Sequence, residues 1–302
     1  MVDILMATYN GAKFVEDQLL SFYRQSYTDW RCIMHDDGST DGTVDILRAW
    51  TEKDPRFILK EDGIKGLGPA KHFIYLLQYS DAPWVMWSDQ DDIWFENKVE
   101  TMLQAGDKAN FKDAGVVYAN AELWNPQQGI ISKRNTLYYP HALKDMLFLN
   151  SGVQGASALF NAPMRSLMLE PEETYAMHDH TLLLVAVTMG EIVYVDKALM
   201  YYRQHEDNVT GNAPGSKRKK LMLMWAHRHE PIIFTSHYNA TRAFYSHFQN
   251  SLSNSDKRIL EIFLNLPQYG WFKRFFIIVR EHFTLLGSRY LLWIKLCLRR
   301  YI

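Results

Sequence analysis

The sequence predicts an α/β protein: a mostly parallel, Rossmann-like central sheet flanked by helices, with a helical extension at the C-terminus. Two observations carry this prediction. Short apolar runs alternate with segments of helical periodicity through the first half of the chain, and aromatic and basic residues concentrate together in residues 271–302. Alternating strands and helices favour right-handed crossover connections, which set successive strands parallel in one sheet.

Short apolar runs that are bounded by turn or helix signals are predicted to be strands. In the first 120 residues they are Ile4–Ala7, Trp30–Met34, Phe57–Leu59, Trp84–Trp87 and Gly115–Ala119. Beyond residue 150, strands are predicted at 157–160 and 192–195.

Helical periodicity occupies the segments between these runs. Residues 14–25, 44–50, 69–79 and 181–189 place apolar side chains three or four positions apart. Thr43 is expected to cap the second of these helices, and Pro69 gives the third a favoured first-turn residue.

Composition and charge restrict the class of protein. The 302 residues suffice for one large domain or a domain with an appendage. Hydrophobic residues make up 47% and charged residues 22%, which excludes a disordered or coiled-coil chain. With 33 basic and 34 acidic residues the net charge is −1, which argues against a dedicated nucleic-acid-binding protein.

The cellular location is expected to be cytoplasmic. Cys32 and Cys297 are the two cysteines, too few for a disulfide scaffold and compatible with a reducing compartment. The sequence begins with a strand-like run rather than a basic leader and cleavage site, and no run reaches the roughly 18 apolar residues of a membrane span.

Polar, mostly acidic segments follow three of the predicted strands. They are Thr8–Gly11, Asp36–Thr43 and Ser88–Asp92. Since ligands of open α/β sheets bind beyond the carboxyl ends of the strands, we expect the three segments to converge on one edge.

The segment Asp36–Thr43 has two open interpretations. It is either a turn that caps the next helix or part of a ligand site. A calcium loop is excluded because Arg48 stands where the bidentate glutamate would be needed. The chain also lacks the glycine-rich fingerprints of dinucleotide and P-loop sites.

Asp89, Asp91 and Asp92 form a denser acidic cluster. Oxygen ligands suit hard cations such as Mg²⁺ or Mn²⁺, which proteins often hold through one or two carboxylates together with substrate phosphates. The alternative is an acidic helix start that complements the helix dipole.

Two later segments carry further polar residues. Asp179, between His178 and His180, is either a helix cap or a general base whose pKa is raised by partial burial. A zinc site from the two histidines is disfavoured because further clustered ligands are missing. Arg203 and His205 are placed to contact a diphosphate, and His205 also to bind a metal; the alternative is a polar loop with Arg203 in an ordinary ion pair.

Taken together, these segments resemble the family 2 glycosyltransferases, which have the GT-A fold. The matching segments occur in the expected order: Ala7–Gly11, Gln25–Trp30, Asp36–Thr43, Ser88–Trp94 with Lys98, His178–Asp179, and Tyr202–His205 with Asn208 and Gly211. The Ser-Asp-Gln-Asp-Asp-Ile-Trp form looks most like bacterial rhamnosyltransferases of cell-wall and capsular polysaccharide assembly. The resemblance implies a GT-A catalytic domain over 1–212, with its acceptor side from about residue 110, and a helical extension over 213–302.

The resemblance also implies residue roles. The donor nucleoside is expected to contact Thr8, Asn10, Asp36 and Asp37, and its ribose to lie near Asp89. The diphosphate is expected to contact Arg203 and His205. The divalent metal is expected to be bound by Asp91, Asp89 and His205. Asp179 is the implied catalytic base, and Gly155 lies in the stretch that usually meets the donor sugar and acceptor. The sequence departs from the family pattern at Lys71 and His72, where an asparagine often precedes the phenylalanine, so donor contacts there are in doubt.

The implied activity is inverting, Mg²⁺- or Mn²⁺-dependent transfer of L-rhamnose from dTDP-rhamnose to a glycan or a lipid-linked saccharide acceptor in bacterial surface polysaccharide synthesis. A UDP-hexose donor, namely glucose, galactose or N-acetylglucosamine, would use the same mechanism. Two other classes stay open: a non-catalytic scaffold that binds nucleotide-sugars or glycans, and a nucleotidyltransferase, which would release pyrophosphate instead of a nucleoside diphosphate.

The C-terminal segment 271–302 has seven basic residues and one acid, so its charge of +6 leaves −7 for the remainder. Basic and aromatic residues together suggest helices that lie in a membrane interface and are drawn to anionic lipid. The alternative is a helical pair that packs on the catalytic domain. With the first interpretation, the protein is expected at the inner face of the cell membrane.

Overall fold

The computed structural model describes residues 1–149, 153–170, 176–205 and 229–302. The chain divides into two compact units whose segments alternate along the sequence. The first unit comprises Met1–Thr136, Val153–Glu170 and Gly190–Asn212, and the second comprises Leu137–Gly152, Pro171–Met189 and Ala213–Ile302. The predicted domain boundary at residue 212 lies outside the described residues and stays a prediction.

One sheet, nine-stranded in the described residues, forms the centre of the first unit. Its strands are β1 (Val2–Thr8), β2 (Trp30–Asp36), β3 (Phe57–Lys60), β4 (Trp84–Ser88), β5 (Ile93–Trp94), β6 (Gly115–Asn125), β7 (Gly129–Ser132), β8 (Ala158–Asn161) and β9 (Glu191–Arg203). Their spatial order is β3-β2-β1-β4-β8-β6-β9-β5, and β7 pairs with β6.

The first four strands are parallel and in register at their carboxyl ends. Thr8 pairs with Asp36, and Met6 pairs with Ser88, so the three polar segments leave the sheet at one edge. β8 runs antiparallel to β4 and β6, whereas β9 is parallel to β6 and antiparallel to β5. The predicted α/β class is confirmed, with the parallel part at the N-terminal strands.

The helices follow the predicted alternation. They are α1 (Val15–Tyr23), α2 (Thr43–Lys53), α3 (Gly68–Leu77), α4 (Lys98–Ala109), α5 (Leu143–Met146), α6 (Ala162–Leu169), α7 (His178–Met189), α8 (Thr235–Phe248), α9 (Asn254–Asn265), α10 (Trp271–Arg280) and α11 (Arg289–Leu298). In the first unit, the buried faces of α1, α2 and α4 join the strands in a core that contains Phe22, Trp50 and Met102.

The prediction that Thr43 caps α2 is wrong. Gly42 precedes the helix in the left-handed conformation, with φ of 87°, and Thr43 is the first helical residue. The Thr43 hydroxyl donates to Asp41 and accepts from the backbone N–H of Gly11. Thr43 therefore ties the β1 loop to the β2 loop, a contact that local sequence does not reveal.

The second unit is helical. Phe148 packs against Phe263, Phe283 and Tyr301, which joins the segment after α5 to the last helices. Within the described ranges, no helix combines the length and apolar character needed to cross a bilayer. Cys32 is buried in β2 and Cys297 is exposed on α11, and both are free thiols.

Candidate functional site

The loops after β1, β2 and β4 are joined by hydrogen bonds at the sheet edge. The Gln90 amide pairs with both backbone groups of Tyr9, accepting from its N–H and donating to its carbonyl, each at 2.9 Å. Asn10 lies in the left-handed region, which asparagine tolerates, and its Oδ1 accepts from the Thr40 N–H at 2.9 Å. The predicted convergence of the three polar segments is confirmed.

Asp36 organises the loop after β2 through the protein's own donors. Its Oδ1 accepts from the N–H groups of Gly38 and Ser39, at 3.0 and 2.7 Å. Its Oδ2 accepts from the hydroxyls of Thr8 and Ser39, at 2.8 and 2.6 Å. A carboxylate has about four lone-pair sites, so these four bonds fill Asp36.

Asp37 has spare accepting capacity. Its two oxygens accept from the N–H groups of Leu67 and Gly68, at 2.8 and 2.9 Å. With one bond on each oxygen, about two lone-pair sites remain for a ligand. Asp37 is buried, and of the two neighbouring aspartates it keeps more accepting capacity. Thr8 is also buried, and its hydroxyl donates to Asp36.

A cavity of about 290 Å³ opens beside this loop, lined in part by Asp36, Lys60 and Asp62. In its wall, His35 joins the Nε2 of His72 at 2.7 Å to the carboxylate of Asp62 at 3.1 Å. Burial and the neighbouring His35 lower the pKa of His72 to about 4, so His72 is neutral near pH 7. The cavity wall is thus held by a hydrogen-bonded chain whose middle member, His35, directly precedes Asp36.

In the segment Ser88–Asp92, Asp91 pairs with the imidazole of His205. Its Oδ2 lies 2.8 Å from the Nε2 of His205, and both side chains are partly exposed. The His205 ring stacks on Phe14, with centroids 4.5 Å apart. A carboxylate oxygen and an imidazole nitrogen, both of types that bind metal ions, therefore lie side by side at the sheet edge.

Arg203 neighbours this pair and is buried. Its guanidinium donates to the Asp91 carbonyl and to the Asp17 carboxylate, both at 2.8 Å, and its N–H donates to Asp92. The alternative of an ordinary ion pair is thus realised with Asp17. Contact of Arg203 with a diphosphate stays a prediction.

Asp92 and Lys98 are fully buried beside the site. The Lys98 ammonium donates to the Ala156 carbonyl at 2.6 Å and lies 3.8 Å from the centre of the Trp94 ring. Burial, together with the charges of Asp91 and Asp89, raises the pKa of Asp92, and burial lowers the pKa of Lys98. Asp89 itself is partly exposed.

Asp179 belongs to the second unit, in the first turn of α7. Burial raises the pKa of this carboxyl to about 6, although the His180 N–H, which donates to it at 2.7 Å, acts in the opposite direction. Burial also lowers the pKa of His178 and of His180 to about 3, so both imidazoles stay neutral. A carboxylate that titrates near pH 6 is suited to general-base catalysis near neutrality.

The donor set at Asp91 and His205 fits a hard divalent cation. Such ions are often held by one or two carboxylates, with water and substrate phosphates completing the coordination. In the described part of the chain, no three histidine, cysteine or acidic side chains form a complete cage by themselves.

The predicted site residues of the first unit come together at the sheet edge. They are Thr8, Asn10, Asp36, Asp37, Asp89, Asp91, Arg203 and His205. Sequence reasoning missed Asp17, Phe14 and Gln90; only Gln90 had a local signal, its place inside the acidic segment. Gly155 begins a buried 3₁₀ turn, and Asn208 and Gly211 lie outside the described residues.

Comparisons with known proteins agree with this architecture. Residues 3–164 match the sequence model described as glycosyl transferase family 2. RfbG, a dTDP-rhamnosyl transferase of Shigella flexneri, is 28% identical over 241 residues, 72% of this chain and 78% of its own.

Two solved structures share the fold. TarS 1-349 of S. aureus, in complex with UDP-GlcNAc, superposes with a TM-score of 0.59 at 16% identity, over 87% of this chain and 70% of its own. The mannosyltransferase PcManGT of Pyrobaculum calidifontis, in complex with GDP-Man and Mn²⁺, gives 0.52 at 15% identity, over 98% and 85%. The expected GT-A fold is confirmed.

Proposed function

The chain belongs to glycosyl transferase family 2, and from that premise we propose that it transfers a sugar from a nucleoside diphosphate to a saccharide acceptor with inversion. The proposed donor is dTDP-L-rhamnose, supported by the likeness to RfbG and by the form of the acidic segment. The proposed acceptor is a saccharide, lipid-linked, of bacterial surface polysaccharide synthesis.

The observation that carries this proposal is the Asp91–His205 pair at the edge where three polar loops meet. Asp37, with its spare lone pairs, is assigned to the base of the nucleotide, and Asn10 and Asp89 to its surroundings. Asp91 with His205 would hold Mg²⁺ or Mn²⁺, which when bound supplies Lewis-acid stabilisation of the departing diphosphate.

Asp179 is the proposed base. Its carboxylate would take the proton of an acceptor hydroxyl as that oxygen attacks the anomeric carbon. The bond from that carbon to the diphosphate oxygen breaks on the opposite face, so the configuration inverts and no covalent sugar–enzyme intermediate forms. The raised pKa matches the base to a neutral medium.

A donor screen tests the activity. Purified protein is incubated with dTDP-rhamnose, UDP-glucose, UDP-galactose or UDP-N-acetylglucosamine, Mn²⁺ and saccharide acceptors, and released nucleoside diphosphate is measured. Turnover with dTDP-rhamnose is expected. Turnover with a UDP-hexose alone contradicts the rhamnose assignment, and binding without turnover of any donor favours a non-catalytic scaffold.

Asp179→Asn tests the base. We expect transfer to fall by about 10³-fold or more, because proton removal is lost, while affinity for the nucleoside diphosphate stays near that of the wild type. In the wild type, kcat/KM should rise with pH through about 6, as Asp179 ionises, and then level off.

Asp256→Asn is the matched control, since Asp256 also lies in the first turn of a helix of the second unit. It should keep wild-type transfer. Equal loss of transfer and of nucleotide binding in Asp179→Asn would contradict the assignment of the base.

A further inference from the structure

Helices α10 and α11 each keep a row of large apolar side chains in solvent. On α10, Phe272 and Phe276 are 83% and 63% exposed. On α11, Tyr290, Ile294 and Leu298 are 73%, 47% and 45% exposed. Four-residue spacing places each row along one side of its helix.

The opposite sides of the two helices are packed. Ile278 of α10 and Leu292 and Leu296 of α11 are buried. The Trp271 indole N–H donates to the Leu296 carbonyl at 3.1 Å, and the rings of Phe275 and Trp293 lie 6.4 Å apart. The exposed rows therefore belong to a folded helix pair, and contiguous exposed apolar surface of this kind marks interaction sites.

Positive charge accompanies the rows. The single acid of the segment 271–302, Glu281, is neutralised by Arg258 and Arg280, at 2.8 and 2.9 Å. Lys273 and Arg289, each next to an exposed aromatic residue, are exposed and form no ion pair with any described residue. The surroundings of the rows thus carry basic charge that the protein does not balance locally.

We propose that α10 and α11 bind the surface of a bilayer that contains anionic lipid. The exposed rows enter the boundary between headgroups and acyl chains, and Lys273 and Arg289 contact the headgroups. Each helix has ten residues, about 15 Å, which is half the hydrocarbon thickness, so the pair lies on the bilayer. This proposal goes beyond the proposed function and does not depend on the donor sugar.

Vesicle sedimentation tests the apolar rows. The full chain should bind vesicles of phosphatidylglycerol and phosphatidylcholine at least about tenfold more tightly than phosphatidylcholine alone, and less tightly as salt rises. Phe272→Ser with Phe276→Ser, or Tyr290→Ser with Ile294→Ser, should each weaken binding by about tenfold or more.

The control for the serine pairs is Ile130→Ser with Leu137→Ser, which removes two side chains that are also exposed, at 49% and 69%. Its binding should equal that of the wild type. Circular dichroism and thermal unfolding check that every variant is folded.

Charge reversal tests the headgroup contacts. Lys273→Glu with Arg289→Glu should weaken binding to the anionic vesicles by about 100-fold. Lys108→Glu with Lys197→Glu changes two exposed lysines of the first unit by the same net charge and should weaken it by less than about threefold.

Equal binding to neutral and anionic vesicles would overturn the proposal, as would serine pairs that bind like the wild type. Sedimentation velocity adds a further outcome. If the wild type is a dimer that either serine pair dissociates, the rows are an interface between two copies and the proposal is wrong.

Discussion

Asp36, after β2, accepts four hydrogen bonds from the protein, whereas Asp91, after β4, pairs only with His205 among the hydrogen bonds of its carboxylate to described residues. Next to it, the Oδ2 of buried Asp92 has no hydrogen-bond partner in the described part of the chain. The two segments are similar in composition, at the same edge of one sheet. Their aspartates, Asp36 and Asp91, differ in how many hydrogen bonds the protein donates to the carboxylate.

The difference separates a framework from a binding position. A carboxylate that is filled by backbone N–H groups and hydroxyls fixes a loop and has little capacity left for a ligand. A carboxylate cluster with few donors is costly to bury unless a cation balances it. We therefore expect substitution of Asp36 to act mainly on stability and substitution of Asp91 mainly on activity.

The largest effect is expected for Asp91→Asn, which keeps the side-chain shape but removes the charge. Transfer should fall by about 10³-fold, equivalent to about 4 kcal/mol, and Mn²⁺ should no longer increase affinity for a nucleoside diphosphate. Calorimetric titration with and without Mn²⁺ measures this. Asp107→Asn, at an exposed carboxylate of α4, is the control; Mn²⁺-dependent transfer that survives Asp91→Asn would show that Asp91 does not bind the metal.

Asp36→Ala should act on stability. It leaves two backbone N–H groups and two hydroxyls without their acceptor, so the free energy of unfolding should fall by about 2–4 kcal/mol. Denaturant unfolding measures the change. Asp45→Ala, at an exposed aspartate of α2, should cost less than about 0.5 kcal/mol. A stable Asp36→Ala that has lost only nucleotide affinity would remove the proposed difference between the segments.

A smaller effect is expected where the segment after β4 meets the loop after β1. A Cβ on Gly11 would lie 2.2 Å from Oε1 of Gln90, so Gly11→Ala should displace that amide from Tyr9 and cost about 1–2 kcal/mol. In a Gln90→Ala background the same substitution should cost about 1 kcal/mol less.

Gly270→Ala is the control for the glycine substitution, because a Cβ there meets nothing within 4 Å and the φ of −60° suits alanine. Unfolding by denaturant compares the four proteins of the cycle. Additive costs would mean that Gln90 does not link the β1 loop to the β4 segment.

Much of the fold was predictable because the signals are local. The runs at Ile4–Ala7 and Trp30–Met34 lie inside β1 and β2, and their polar ends identified the edge that the loops share. The run at 157–160 also became a strand, but its antiparallel direction could not be predicted, since an apolar run has no direction.

The partners within the site were not predictable. Asp37 is held by Leu67 and Gly68, about 30 positions away, and Arg203 pairs with Asp17 at a separation of 186. Nothing in the local sequence distinguishes Asp36, which is filled, from Asp91, which is not. Long-range hydrogen bonding decides this, and it becomes visible only once the strands are in register.

The pairing of β5 and β6 with β9 affects how the protein is made. The strands β1 to β4 can join as they leave the ribosome, but Ile93 of β5 pairs with Tyr201. His205 is 114 residues from Asp91. A nascent chain therefore carries Asp91 without its imidazole partner while the 114 residues up to His205 are added, and a chaperone that delays collapse of this segment should raise the yield of folded protein.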